Sequence, residues 1–416
     1  MPEHDPERDL FFRDAIEGCE GPLQGIRVLD VTTTWAGPRC SGVLADYGAE
    51  VIKIELRDPP EVARRLPPML PGTDPPESYF NATVNRNKKN LCLDLRKPEG
   101  SEVLLRLAET VDVFVENFKK GTLASWNCGY EHLRAVNPEI VYVSITGFGQ
   151  YGPYSHLPGY DPTAQAMSGF MHLNAQDDEA MPLKAPVFLA DEIAGHHGAM
   201  AAMAALLYRQ RTGTGQHVDV SLLDAMIDSC TGVHTLAARG VPTPRLGNTF
   251  SFAAPANAYR CSDGWVHAGA LLDSHWQRIS RLVGRPELAE HPDYATIPAR
   301  LARREEVDGI LAAWCSKHTR EEVIKSFEEV QVAAAAVLTP AETIEDPHVK
   351  AREAIGEVTT DRGETLRLPA PAAKFAKTPV RIRMSAPRPG AHTKSILEQI
   401  GYDEADIRRL ARAGVI

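Results

Sequence analysis

The segment that most restricts the fold lies between residues 26 and 55. Residues 26–31 read as a strand, 39–47 as a short helix ended by Gly48, and 51–55 as a second strand. Strand, helix and strand within thirty residues form a βαβ unit, which forces parallel pairing and a right-handed crossover. The alternation resumes downstream. Pro98 opens a helix over 99–109, residues 111–115 make a strand, 122–135 a helix and 140–145 another strand. Four strands alternating with helices predict an open, mostly parallel α/β sheet of Rossmann-like type.

The remaining chain is organised differently. Residues 1–20 are polar and without a clear period, a terminal arm. Seven prolines fall in residues 59–76. From Asp191 to Gln210, Ala194, Gly198 and Ala202 recur every fourth residue, as do Gly195, Ala199 and Met203. A helix striped with small residues lets another backbone approach closely. Residues 218–220 return to extended structure, 242–255 are turn-rich, and 256–345 read as a separate unit with a strand pair around Ser262-Asp263-Gly264. A helical tail spans 394–413. A chain of 416 residues is in any case too long for one ordinary core, so two domains are expected.

Charge and composition exclude several classes. With 45 basic and 55 acidic residues the net charge is −10, which disfavours nucleic acid or an anionic membrane as partner. An anionic ligand then requires a local basic pocket. No apolar run reaches 18 residues, and Met1 to Ala15 contains no apolar signal core. The seven cysteines are scattered without a C-x-x-C pair, as in reduced thiols of a cytoplasmic protein. His196 and His197 are adjacent on a helix and point about 100° apart, so they share no metal; no metal site is expected. No G-x-S-x-G, P-loop or G-x-G-x-x-G occurs, so serine-hydrolase, P-loop and NAD-binding chemistry lack their signatures.

Three constellations could carry chemistry. The turn from Thr32 to Pro38, which includes Thr34, Trp35 and Ala36, sits where a doubly wound protein binds a phosphate ligand. A capped helix start packed on the sheet explains the same residues. Two polar clusters, Asn85-Arg86-Asn87-Lys88-Lys89 and Glu116-Asn117-Phe118-Lys119-Lys120-Gly121, mix cations with amides beside predicted strands. They suit either a phosphorylated purine nucleotide or solvated turns. Finally, the apolar run 186–190 ends at Asp191, where a small-residue helix begins. A carboxylate there is either a helix cap or a nucleophile held ionised by the dipole and free amides.

Three blocks of this sequence resemble the opening of the class III CoA-transferases, a family that includes formyl-CoA transferase and carnitine CoA-transferase. They are Leu23 to Asp30, Ala36-Gly37-Pro38 and Leu44 to Glu55. The likeness continues through 85–95, 116–121, 146–152, 158–169 and 190–223, and in weaker form to Gly414. The resemblance implies that Asp191 is the catalytic aspartate. It would attack the thioester of a donor such as succinyl-CoA, pass through a mixed anhydride and an aspartyl-CoA thioester, and deliver CoA to an acceptor carboxylic acid. It further implies CoA contacts from Thr34, Trp35, Ala36, Asn85, Arg86, Asn87, Lys88, Asn117, Phe118 and Lys119. Tyr160 and Asp161 would shape the acceptor pocket. CoA is then a substrate, and no tightly bound cofactor is expected.

The resemblance also implies architecture. A large Rossmann-like domain would combine residues 21–225 with 370–416, and a smaller α+β domain would span 250–345, joined by linkers 226–249 and 346–369. Two such subunits would interlock as a homodimer, or pair with a related second chain, and interlocking would account for the small residues of the helix at 191–210. Some family motifs are altered here. Ser125 and Trp126 occupy a stretch where some members have an arginine, and Leu56 stands where formyl-CoA transferase has another, with Arg57 beside it. No Gly-rich loop lies between Val241 and Pro255. Two alternatives share the fold. One is the related alpha-methylacyl-CoA racemase, whose histidine position is Tyr160 in Gly159-Tyr160-Asp161; the other is the catalytic chain of a hetero-oligomeric transferase.

Overall fold

The computed structural model describes residues 6–73 and 76–416, so the start of the expected arm and two residues of the proline-rich stretch lie outside it. The chain divides into two compact units, residues 1–171, 184–239 and 347–416 in the first and 172–183 with 240–346 in the second.

The first unit is built on six parallel strands: β1 (Arg27–Val31), β2 (Glu50–Glu55), β3 (Lys88–Cys92), β4 (Val113–Glu116), β5 (Val141–Thr146) and β6 (Gln216–Ser221). Their order is β3-β2-β1-β4-β5-β6, so the winding reverses between β1 and β4. A crevice opens at the carboxyl ends of strands on either side of such a reversal, and ligands of open α/β sheets bind there. Strand alternation divides the core in two. Val28, Val51, Val113, Val141 and Val143 pack on one face, against α1 (Ala36–Asp46) and a long helix at Leu189–Thr212. Leu29, Ile52, Phe114 and Tyr142 pack on the other, against α2 (Pro98–Ala108) and the C-terminal helices Thr393–Gln399 and Glu404–Arg412. The chain's end thus completes the core that its beginning starts. A two-stranded antiparallel hairpin, Ile355–Thr359 with Thr365–Pro369, occupies most of the segment expected as a linker.

Beyond β5 come the short helix α3 (Asp161–Met167) and the long helix itself, α4 (Leu189–Thr212). The small residues of α4 are explained inside one chain. A Cβ added at Gly198 would lie 3.0 Å from the Cys40 sulfur and 2.9 Å from Ile145, and one at Gly195 would lie 2.8 Å from the Arg39 side chain. Helix α4 therefore packs closely on α1, and no second subunit is needed to account for that stripe.

The second unit carries the antiparallel strands β7 (Ala256–Cys261), β8 (Gly264–Gly269) and β9 (Ala334–Ala336). The strand pair expected around residues 262–264 is the β7–β8 hairpin. Helices Asp273–Leu282, Arg304–Cys315 and Arg320–Glu329 cover it through Trp276, Leu311, Val323 and Phe327.

Candidate active site

The turn after β1 is held from both sides of the strand reversal. The Asn117 side chain, just past β4, accepts from the Thr33 N–H (2.8 Å) and donates to the Thr33 carbonyl (2.7 Å). The Glu61 carboxylate accepts from the Thr34 N–H and from the Thr33 hydroxyl. These contacts hold Thr34 at φ +68°, a left-handed conformation uncommon for a β-branched residue. A turn fixed in this way presents its backbone rigidly to a ligand in the crevice.

Trp35 follows, buried between Phe80 and Phe188 with ring centroids 5.4 and 5.5 Å away. Its indole N–H donates to Glu192 (2.8 Å), whose carboxylate also lies 2.8 Å from the Arg39 guanidinium. Glu192 is thus paired and turned toward α1. Its neighbour Asp191 stands in the first turn of α4, half-buried.

Asp191 is not the helix cap. That position is filled from another helix: Asp161, at the start of α3, accepts the Ala190 N–H (2.7 Å) and the Asp191 N–H (3.4 Å) on one carboxylate oxygen. Its second oxygen accepts from the Gln165 amide (2.7 Å), and the side-chain carbonyl of Gln165 in turn accepts the Ala185 N–H (2.8 Å). Asp161 and Gln165 together hold the extended segment that leads into α4. The expectation that free amides keep Asp191 ionised is corrected accordingly. Burial first, then the charges of Asp161 and Glu192, push its carboxyl up to about 7. The result is a carboxylate with no capping duty, more basic than usual, next in the chain to Glu192, which Trp35 of that turn contacts.

The cationic part of the first polar cluster is spent inside the protein. Lys88 is completely buried, bonded to Asp30 (2.8 Å), the Pro38 carbonyl (2.8 Å), Ser41 (3.0 Å) and Asn85 (3.0 Å). Burial lowers its ammonium to about 8, while on Asp30 burial is outweighed by Lys53 and Lys88, which hold that carboxyl well below its usual range. Arg86 is locked to Asp46 (2.6 Å), and Asn85 also donates to Asn81 (2.8 Å). Asn87 donates to Asp46 (2.8 Å) and accepts the backbone N–H groups of Arg383 and Met384. Asn87 thus fastens the returning C-terminal segment to the sheet, while Lys88 and Arg86 tie the start of β3 to α1. Removing one partner of such a buried pair costs about 3–5 kcal/mol, so their role is structural first.

The second cluster divides. Asn117 clamps the turn, Phe118 is half-buried with its edge on Trp126 (5.6 Å), and Lys119 is exposed. Behind them Glu116, Ser144 and His217 line a small cavity of about 100 Å³, where burial pushes the Glu116 carboxyl up to about 7. Tyr160 is 70% exposed. His196 and His197 face different partners: His196 hydrogen-bonds the Glu192 carbonyl (2.7 Å), and His197 lies 3.7 Å from the Asp228 carboxylate. Glu61, Glu192 and Arg39 were not singled out in the sequence; a lone charged residue in a loop or helix carries no local signal of its partner.

Comparison with known proteins identifies the family. Residues 23–393 match the family model for CoA-transferase family III. The succinyl-CoA–D-citramalate CoA-transferase of Chloroflexus aurantiacus is 34% identical over 401 residues, covering 95% of this chain and 98% of that protein. The succinate–glutarate CoA-transferase of Agrobacterium fabrum is 34% identical over 386 residues, covering 91% and 96%. A CaiB/BaiF family protein from Brucella suis superposes with a TM-score of 0.81 at 31% identity, covering 92% of this chain and 100% of that one. The chain belongs to CoA-transferase family III. It is an enzyme that transfers CoA.

Proposed function

We propose that this enzyme moves CoA from succinyl-CoA to a short-chain dicarboxylic acid, with Asp191 as the nucleophile. The observation that carries the reading is the uncapped, basic Asp191 carboxylate beside the clamped turn. A carboxylate attacking a thioester needs a free lone pair and enough basicity to hold the acyl group; both are present. In the first step an Asp191 oxygen attacks the thioester carbon, the C–S bond breaks, and CoA leaves as thiolate. The thiolate then attacks the aspartyl carbonyl and expels succinate, leaving an aspartyl-CoA thioester. The acceptor carboxylate repeats the cycle in reverse order and carries CoA away, returning Asp191 unchanged. The substrate assignment rests on the relatives that act on succinyl-CoA with D-citramalate and on succinate with glutarate, both acceptors being five-carbon dicarboxylic acids.

Two features support transfer over proton abstraction next to the thioester. Tyr160 stands where the racemases have histidine, and Asp161 has both oxygens engaged by Ala190, Asp191 and Gln165. Asp161 is therefore a positioning residue rather than a contact for the acceptor, and Tyr160 remains available for that contact. Incubation with succinyl-CoA followed by hydroxylamine should leave a hydroxamate mass at Asp191, absent in Asp191→Ala. Solvent deuterium entering the acyl α-carbon without any adduct would sink the reading.

The subunit arrangement belongs to the same proposal. Met200, Leu207 and Tyr208 on α4 are 52%, 60% and 43% exposed, with Ile227 and Leu236 also on the surface. Apolar side chains concentrated in this way suit burial against a second copy, as in an interlocked homodimer. Sedimentation at twice the 45.5 kDa chain mass is expected; a monomer at micromolar concentration would contradict it.

A further inference from the structure

The substrate proposed above carries a phosphorylated nucleotide, and of the cations that the family resemblance assigns to it Arg86 and Lys88 are neutralised by Asp46 and Asp30, which leaves only the exposed Lys119. A chain of net charge −10 has to supply others locally. Outside the site already described, one cavity is walled by guanidinium groups. It has a volume of about 240 Å³, and Arg64, Arg65, Arg362 and Arg388 stand around it with Ser385.

Its acids are occupied. Arg64 forms a two-pronged pair with Glu55 at the carboxyl end of β2, with contacts of 2.7 and 3.0 Å, and donates to the Pro387 carbonyl (2.9 Å). Arg388 pairs with Asp361 (2.6 Å), and Glu364 is bonded to the Thr360 hydroxyl. Glu77 accepts from Asn81, and its burial raises its carboxyl toward the neutral form. Arg65 and Arg362, by contrast, form no ion pair within 4.0 Å among the described residues, although the charge of Arg362 reaches Glu77 and favours its ionised form. Ser385 is only 8% exposed, yet its hydroxyl has no partner among the described residues. Two unpaired guanidinium groups and an unpartnered hydroxyl around one cavity form a donor set for a phosphate group.

The position is also appropriate. Pro60, in the cavity wall, precedes Glu61, whose carboxylate holds the turn in front of Asp191. The cavity lies at the carboxyl end of β2, on the ligand side of the sheet. We propose that this cavity binds a phosphate of the nucleotide end of acyl-CoA, through Arg65, Arg362 and Ser385. The proposal rests on CoA being the substrate and assigns where its anionic end is held.

Calorimetric titration with CoA itself tests this independently of the chemistry at Asp191. The double variant Arg65→Ala/Arg362→Ala should bind CoA about 30-fold more weakly than wild type, since each charge-assisted contact contributes roughly a five- to tenfold factor. Arg65→Lys/Arg362→Lys should recover part of that loss, which a misfolded variant would not. At saturating succinyl-CoA the double variant should still form the Asp191 adduct. Unchanged CoA affinity in the double variant overturns the proposal. Pyrophosphate binding that is lost in the variant while CoA affinity stays intact overturns it too, because the cavity would then serve a separate phosphate-bearing ligand. If wild type binds CoA and responds to these substitutions but forms no adduct, the nucleophile assignment fails and the cavity assignment stands.

Discussion

Asp191→Asn should be more stable than wild type at pH 8 and inactive. The side chains are nearly isosteric, so the Asp161 bonds to the start of α4 can persist, while the attacking oxygen is lost and turnover should fall by more than about a thousandfold. The stability gain follows from proton linkage. The Asp191 carboxyl stands at about 7 in the folded chain, against 3.8 for an unperturbed aspartate side chain. Between those values the folded state binds more protons than the unfolded state, so this group makes the protein less stable as pH rises from about 4 to about 7. Above pH 7 the cost is fully developed, on the order of 4 kcal/mol. Asparagine carries no charge and escapes it. For a chain of this length the gain corresponds to a Tm increase of about 5 °C at pH 8, shrinking to about 1 °C near pH 4.5. Paired thermal melts across that range decide the matter. A difference in Tm that stays constant with pH would mean that Asp191 is not strained as an anion in the folded state.

This strain also indicates what binding must accomplish. The free enzyme holds Asp191 as a mixture of acid and anion near neutrality, with Asp161 and Glu192 opposing its charge. In the proposed cycle, attack on the thioester removes that charge into a neutral ester-like bond, so the repulsion would be relieved as the anhydride forms. A carboxylate that costs stability when ionised and would lose its charge in the proposed reaction fits function maintained at the expense of the fold.

The parallel sheet was legible because its signal is local. Alternating apolar residues, Gly48 after a short helix and Pro98 at the start of another each act within a few positions, and β1, β2, β4 and β5 lie where those signals place them; β3 escapes them because its first residues, Lys88, Lys89 and Asn90, read as a polar cluster. The functional contacts are of another kind. Asp161 reaches the amides of α4 from 29 residues away, Asn117 clamps Thr33 from 84, and Arg86 meets Asp46 from 40. No spacing rule encodes such pairs. Lys88 shows the ambiguity most clearly: a lysine among asparagines beside a strand has the same sequence pattern whether it faces a phosphate or a buried aspartate. Asp191 itself could be read as a cap because a carboxylate at a helix start is ordinarily one; the actual cap comes from a separate helix. The hairpin Ile355–Thr359 with Thr365–Pro369 escapes the pattern because short strands separated by a turn have little burial to make them periodic.

Substitution of Asp161 should alter the acidity of the nucleophile and not only the stability of the fold. Asp161→Asn keeps a carbonyl oxygen for the Ala190 and Asp191 N–H groups but removes the charge that faces Asp191. With Glu192 still paired to Arg39 and Lys184 now lacking its carboxylate neighbour, the Asp191 anion becomes easier to form. The acid limb of kcat/KM, expected near pH 7 in wild type, should move down by about one pH unit, with kcat reduced less than about tenfold because a weaker base is a weaker nucleophile. Asp161→Ala removes the acceptor as well. The freed amides can then turn to Asp191 itself, which would become the cap that it is not in the native chain. That variant should lose about 1–2 kcal/mol of stability and on the order of a hundredfold in kcat, with its acid limb lower still. The order of the two effects separates the roles: if both variants melt at lower temperature while the acid limb stays near pH 7, Asp161 only braces the helix. A limb that moves further in the alanine than in the asparagine variant identifies Asp161 as the residue that keeps Asp191 uncapped and basic enough to attack.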